Sequence, residues 1–182
     1  NKAVEIFAGG GVLSTFCEMA GFKVDTAVEL QDKFLNVFDK NIDANTTICA
    51  DVNDIDVNDL PTDAALLTCG YPCTSYSDSN IVLKKKLKNE LLSEAAMEER
   101  RHADYLSLAL LQIIRHVNPA ILLIEEVVEF KNSLPFDILK YSLEQMDYKI
   151  TIQEVTGSFT ERRRLAIVAV ADGEPLDLSN LE

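Results

Sequence analysis

Tyr71-Pro72-Cys73 places a thiol directly behind a proline, on a turn leaving the apolar run Ala64-Ala65-Leu66-Leu67-Thr68. A cysteine there suits a nucleophile better than a core residue, provided a helix N-terminus or an arginine lowers its pKa. Before it, Phe7-Ala8-Gly9-Gly10-Gly11 follows an apolar strand and opens a helix, where glycines let the backbone approach a ligand closely. After it, Glu125-Glu126 ends an apolar run. One of these two side chains should face a site, and two close carboxylates would raise one pKa, leaving a proton to donate near neutral pH. Arg162-Arg163-Arg164 enters the last apolar run, so strand alternation predicts Arg162 and Arg164 on one side and Arg163 on the other. Two guanidinium groups on one side suit a carbonyl oxygen or a phosphate. In this order the four stretches describe a thiolate attacking an electron-poor ring beside a nucleotide-like cofactor.

Each stretch also has a plainer reading. A glycine-rich strand-to-helix turn occurs without any ligand. Cysteines of intracellular proteins are usually buried and inert, which is the expectation for Cys17, Cys49 and Cys69. Arginines can blunt a sheet edge, and an acid pair can be a surface pair. Two further acids strengthen the ligand reading. Glu29 ends the second strand, where a carboxylate can accept both ribose hydroxyls. Asp51, expected to end the third strand, could accept from an adenine amino group, although Asp51-Val52-Asn53-Asp54 is equally turn-like.

These residues need strand ends to hold them. Apolar strands expected at 3–7, 23–30, 47–52, 64–68 and 120–125 alternate with helices at 12–20, 31–41, 104–117 and 137–146, with Gly21 capping the first helix. The strands at 148–155 and 165–170 follow one another without a helix and predict an antiparallel edge hairpin. The fold class is α/β: a mostly parallel, Rossmann-like sheet with helices on both faces and ligands beyond the carboxyl ends of its strands. Residues 77–101 are densely charged and read as a charged helix, a mobile lid, or both.

The chain has 182 residues, enough for one domain with a core, and 47% hydrophobic content. No apolar run reaches the roughly 18 residues of a membrane span, so no membrane partner is expected. Four cysteines without paired spacing and two histidines make a metal site improbable and point to reduced thiols inside a cell. The net charge of −13 sets this chain apart from ordinary nucleic-acid binders, which draw affinity from phosphate neutralisation. A nucleic-acid substrate would need local basic patches or a basic partner.

The ordered motifs resemble those of the carbon-5 cytosine DNA methyltransferase family, from about Val4 to Val170. Phe7-Ala8-Gly9-Gly10-Gly11, with Gly21-Phe22, resembles the family's S-adenosylmethionine loop, Glu29 its ribose acid and Asp51 its adenine acid. Gly70-Tyr71-Pro72-Cys73 with Tyr76-Ser77 resembles the Pro-Cys-Gln loop, and Pro119 through Glu125-Glu126-Val127 the Glu-Asn-Val motif. Gly157 and Arg162-Arg163-Arg164 resemble the Gln-x-Arg-x-Arg motif. The resemblance implies S-adenosylmethionine as cofactor, held by Phe7, Ala8, Gly9, Gly11, Glu29, Leu30, Asp51, Val52, Gly70 and Pro72. It implies Cys73 as nucleophile, Glu125 as acid, and Arg162 and Arg164 as supporting cations. The implied chemistry is methylation of a flipped-out cytosine in DNA, as in restriction-modification. It also implies an intracellular place, cytoplasmic in bacteria or phage and nuclear in a eukaryote.

The sequence departs from the family pattern at Thr74, Glu126 and Thr160, which stand for Gln, Asn and Gln, and at Val12, which stands for a common glycine. An Arg-Gly pattern near Asp104 is lacking. One incomplete catalytic domain is therefore expected, with target recognition supplied by a further region or a second subunit. An RNA cytosine methyltransferase and a non-catalytic, cofactor-binding subunit are the alternative readings.

Overall fold

The computed structural model describes residues 1–72, 94–156 and 162–178, with backbone alone for 94–100 and 102–104. Its strands are β1 (Lys2–Ile6), β2 (Lys23–Glu29), β3 (Thr46–Cys49), β4 (Leu66–Gly70), β5 (Ile121–Glu126), β6 (Lys149–Thr156) and β7 (Arg163–Val170). Its α-helices are α1 (Val12–Met19), α2 (Asp32–Asn41), α3 (Glu94–Val117) and α4 (Leu134–Gln145), with 3-10 turns at Val57–Asp59 and Val128–Asn132.

The strands form one sheet in the order β3-β2-β1-β4-β5-β7-β6. All neighbours are parallel except β7, which runs antiparallel to both β5 and β6. The α/β sheet and the edge hairpin are as the sequence implies. The strand order reverses between β1 and β4, which opens a crevice at their carboxyl ends. Because β7 is antiparallel to β5, its entering end lies beside the carboxyl end of β5. An arginine cluster at the start of a strand thus reaches the same rim as motifs at strand ends.

Local chemistry sets the helix limits. Gly11 caps α1 at φ 87, and Gly21 at φ 88 turns the chain so that Phe22 N returns to Cys17 O at 3.0 Å. Ser133 caps α4 by accepting from Phe136 N at 3.2 Å, with a proline in the first turn. That cap starts α4 ahead of the expected Asp137. α3 starts ten residues ahead of the expected Asp104. Its first turns carry good helix formers, Ala95, Ala96, Met97, Glu98 and Glu99, but no apolar stripe to announce them. Its C-terminal half buries Leu106, Leu110, Ile113 and Ile114 as the periodicity implies.

The main core joins α3 and α4 to one face of the sheet through Val4, Ile6, Leu67, Cys69, Leu122, Ile124, Leu165 and Ile167. On the other face, α1 packs Cys17 against Ala3 and Leu66. Two hydrogen bonds pin the far end of the molecule. His116 Nε2 lies 3.1 Å from Leu60 O, and Tyr148 donates its hydroxyl to Pro119 O at 2.6 Å. No helix among the described residues is long and apolar enough to cross a membrane.

Candidate active site

The crevice has two walls. The first is built on β1, β2 and β3. Phe7 leaves β1 at φ 59, a conformation costly for a residue with a side chain, and its ring packs edge-on to Tyr71 at 5.5 Å. Ala8 N then bonds Val28 O at 3.0 Å, and Gly11 N bonds Ala8 O at 3.0 Å. Gly9 sits at φ 54, and a Cβ placed on it would meet no atom of the described residues within 4 Å. Gly11 is constrained on both counts, since a Cβ there would lie 2.9 Å from Ile42 Cγ1.

Glu29, buried at the end of β2, ties this loop to its own strand. Its Oε2 accepts from Gly9 N at 2.9 Å and its Oε1 from Gln31 N at 2.8 Å. Leu30 beside it is 55% exposed, an uncovered apolar surface on the rim. Val52 is buried in the main core instead. Asp51 does not end a strand, because β3 stops at Cys49. Its Oδ1 accepts from Asn53 N and Asn53 Nδ2, both at 2.9 Å, which closes a turn at the strand's exit. Cys49 is exposed rather than buried, its thiol 3.7 Å from Leu30 O. A partly exposed edge-side strand explains why. Cys17 and Cys69 are buried as expected.

The second wall is built on β4, β5 and β7. Register fixes its side chains. Gly70 pairs with Glu125, and Glu125 pairs with Ala166, so Arg164 is the diagonal neighbour of Glu125 on the same face. Arg164 Nε meets Glu125 Oε1 at 2.5 Å, and Arg164 Nη1 donates to Arg163 O at 3.0 Å. Gly70 carries no side chain at the position beside Glu125. The neighbouring Glu126, paired with Leu165, points to the opposite face and is 1% exposed. Its Oε2 accepts from Val127 N, while its Oε1 is buried with no partner among the described residues. Burial, offset in part by the Val127 N–H, pushes its pKa up to about 8.

One of the two carboxylates does hold a proton near neutrality, as the sequence implies, but it is the buried Glu126. Its leading cause is lost hydration, and the charge of Glu125 contributes less. The arginines also divide differently. β7 begins at Arg163, paired with the last residue of β6, so Arg162 stands before the strand and alternation does not place it. Arg162 is exposed. Arg163 turns to Glu154, 3.6 Å away, which also binds Lys131 at 3.0 Å. Pro72 follows Gly70 and Tyr71 on the rim, half-buried. Cys73 lies outside the described residues, as do Thr74, Tyr76, Ser77, Gly157 and Thr160.

A further buried acid was not singled out from the sequence. Glu5 on β1 is 2% exposed, and Ser14 of α1 donates its hydroxyl to Glu5 Oε2. Burial raises its pKa to about 7, against the pull of the Ser14 hydrogen bonds. The signal was present: Glu5 interrupts an apolar strand, Ala3-Val4-Glu5-Ile6.

The model of the family described as C-5 cytosine-specific DNA methylase matches residues 1–182. The type II methyltransferase M.PspPI of Psychrobacter sp. (strain TA137) is 28% identical over 176 residues, covering 92% of this chain and 39% of that protein. The S. pombe Dnmt2 methyltransferase superposes with a TM-score of 0.70 at 16% identity, over 98% of this chain and 52% of its own. A putative DNA modification methyltransferase encoded within an E. coli prophage gives 0.69 at 22% identity, over 93% and 46%. These two likenesses show the shared fold. The chain spans about two fifths to one half of the length of these relatives.

Proposed function

The chain belongs to the C-5 cytosine-specific DNA methylase family, and from that premise we propose that it carries the catalytic half of an enzyme that methylates carbon 5 of cytosine in DNA. The observation that carries this reading is the Glu125–Arg164 pair at the carboxyl end of β5, on the same rim of the sheet as Glu29 and Gly9.

The first wall fits S-adenosylmethionine. Each oxygen of Glu29 already accepts one main-chain hydrogen bond and can accept a second, so the carboxylate is oriented and able to take both ribose hydroxyls. The space at Gly9, open among the described residues, admits the body of the ligand, and exposed Leu30 offers a flat apolar contact for an adenine. When bound, S-adenosylmethionine supplies the methyl group.

The chain's own residues would do the rest. The Cys73 thiolate adds to ring carbon 6, forming a carbon–sulfur bond and moving electron density to carbon 5. Glu125 holds or protonates ring nitrogen 3, which makes that addition easier. Arg164 keeps Glu125 aimed and could hold the base's carbonyl oxygen. After methyl transfer, loss of the carbon-5 proton and departure of the thiolate restore the ring. A base inside a duplex cannot reach this crevice, so the cytosine is flipped out. With a net charge of −13, the grip on phosphates would come from a recognition region or second subunit outside these residues.

Covalent trapping tests the reading. DNA containing 5-fluorocytosine, incubated with S-adenosylmethionine and the full-length protein, should yield a stable adduct that Cys73→Ala abolishes. Intact cofactor binding with no adduct would instead support a cofactor-binding, non-catalytic subunit.

A further inference from the structure

We propose that Tyr71 is a positioning residue for the cofactor loop: its ring holds Phe7 in the backbone conformation from which the Gly9 N–H reaches Glu29. This rests on the reading of the Phe7–Gly11 loop as part of the S-adenosylmethionine site.

Strand register brings the two rings together. Ile6 at the end of β1 pairs with Cys69 of β4, so the two chains leave the sheet side by side. A Cβ placed on Gly70 would lie 3.7 Å from Phe7 O, which shows how near the two exits run. Tyr71 comes next and is 3% exposed. Phe7 packs against it with ring centroids 5.5 Å apart and planes at 73°, a favourable geometry for an aromatic pair. Tyr71 also meets Phe130 at 5.4 Å, and Phe130 meets Phe136 at 5.9 Å. Phe130 is fully buried, so the Tyr71 ring is braced by the main core.

Phe7 needs such a support. Its φ of 59 is costly for a residue with a Cβ, and a conformation of that kind persists only where its surroundings over-determine it. On the loop side, Ala8 N binds Val28 O at 3.0 Å and Gly9 N binds Glu29 Oε2 at 2.9 Å. Both bonds require the chain to turn at Phe7 as it does. A Phe7 relaxed to an ordinary φ would carry both N–H groups away, and Glu29 would lose one of the donors that orient it. On the core side, Tyr71 meets the half-buried Phe7 ring and opposes that relaxation. The run from Phe7 to Phe136 is apolar, so it transmits packing and leaves the charge of the second wall out of account.

Two measurements on the full-length protein decide the matter. In the first, no ligand is present, and the Gly9 amide proton is followed by NMR. As a donor to a carboxylate it should lie downfield and exchange slowly in the wild type and in Tyr71→Phe, which keeps the ring. The same signal should persist in Phe136→Leu, which removes the last ring of the run. In Tyr71→Leu it should move upfield and exchange faster. No change in Tyr71→Leu overturns the proposal. So does an equal change in Phe136→Leu, the signature of a general loosening of the core. If Tyr71→Leu does not fold, Tyr71→Met takes its place. In the second, S-adenosylhomocysteine binding is measured by calorimetry. Affinity should be about fivefold weaker in Tyr71→Leu, the scale of one aromatic pair, and within about twofold of the wild type in Tyr71→Phe. In a Phe7→Leu background, Tyr71→Leu should add less than about twofold, because the ring contact is already gone. A full fivefold loss there would mean that Tyr71 does not act through Phe7, and the proposal falls. A Gly9 amide that responds to Tyr71 in a protein that binds no S-adenosylhomocysteine would sink the cofactor reading and leave the positioning of the loop standing.

Discussion

The two walls of the crevice are held by different physics. The wall on β1 and β2 is fixed by main-chain geometry: Gly9 N and Gln31 N bind Glu29, Ala8 N binds Val28 O, and glycines take the left-handed turns. The wall on β5 and β7 is fixed by side-chain charge: one ion pair, Glu125 with Arg164, and one buried acid, Glu126. Main-chain hydrogen bonds are nearly indifferent to pH and salt, whereas ion pairs and buried acids respond to both. A cofactor that is the same in every turnover suits the first kind of wall. A base that must enter, change its proton affinity and leave suits the second.

If the division is real, the largest effect comes from a change confined to the second wall. Glu125→Gln keeps the shape and removes the acid. Methyl transfer by the full-length protein should fall about 10²–10⁴-fold, the usual contribution of a positioned acid. S-adenosylmethionine affinity, measured by calorimetry, should not move. A parallel loss of cofactor binding would mean that the walls are one unit and the comparison fails.

The next effect tests whether the first wall hides a titratable weak point. Glu5 lies beneath it, and burial pushes its folded pKa from the ordinary 4.5 up to about 7. A raised carboxyl pKa means that the folded state binds the proton more tightly than the unfolded chain does. The associated stability is complete below about pH 4.5 and is lost as pH rises through about 7. The expected loss is of order 3 kcal/mol, with Glu126 adding its own loss up to about pH 8. Urea unfolding at pH 5, 6, 7 and 8 should show the decline, and Glu5→Gln should flatten its lower part. A stability that climbs over this range would mean that neither acid is protonated in the fold.

A third change breaks the first wall alone. Glu29→Gln replaces one accepting oxygen by an amide that cannot accept the Gly9 or Gln31 N–H. Cofactor binding should weaken by about 1–3 kcal/mol, the scale of hydrogen bonds to a charged group. Unchanged cofactor affinity would remove Glu29 from the ligand site.

How much of this was legible in the sequence follows the same division. Phe7 to Gly11 and Glu29 could be read because a glycine turn after a strand and an acid at the next strand's end are local patterns. The parallel sheet and its hairpin edge followed from the alternation of apolar runs with helical ones. Three things depended on contacts distant in sequence and were not legible. Asp51 looked like a strand end, but β3 stops where its pairing with β2 stops, at Cys49 opposite Glu29. Glu125 and Glu126 looked equivalent, and only the burial of one against Leu165 decides which keeps its proton. The arginines looked like one alternating run, yet the strand begins at Arg163, opposite Thr156, and Arg162 stands before it. The start of α3 failed for the opposite reason, since its first turns are stabilised by composition and carry no buried stripe.

The smallest expected effect is the sharpest control on the second wall. Arg163 and Arg164 are adjacent, equally charged and both paired to a glutamate, so a reading based on charge alone would treat them alike. Arg163 pairs with Glu154 at 3.6 Å on an exposed surface where Lys131 already holds the same carboxylate. Arg164 is half-buried beside Glu125. Arg163→Ala should therefore change stability by less than about 0.5 kcal/mol, as exposed ion pairs usually do, and leave the pH profile of methyl transfer in place. Arg164→Ala strips Glu125 of its partner and should lower transfer, though by less than Glu125→Gln does. If Arg163→Ala were as damaging as Arg164→Ala, the second wall would work through its summed positive charge, and the single aimed pair would not be the device.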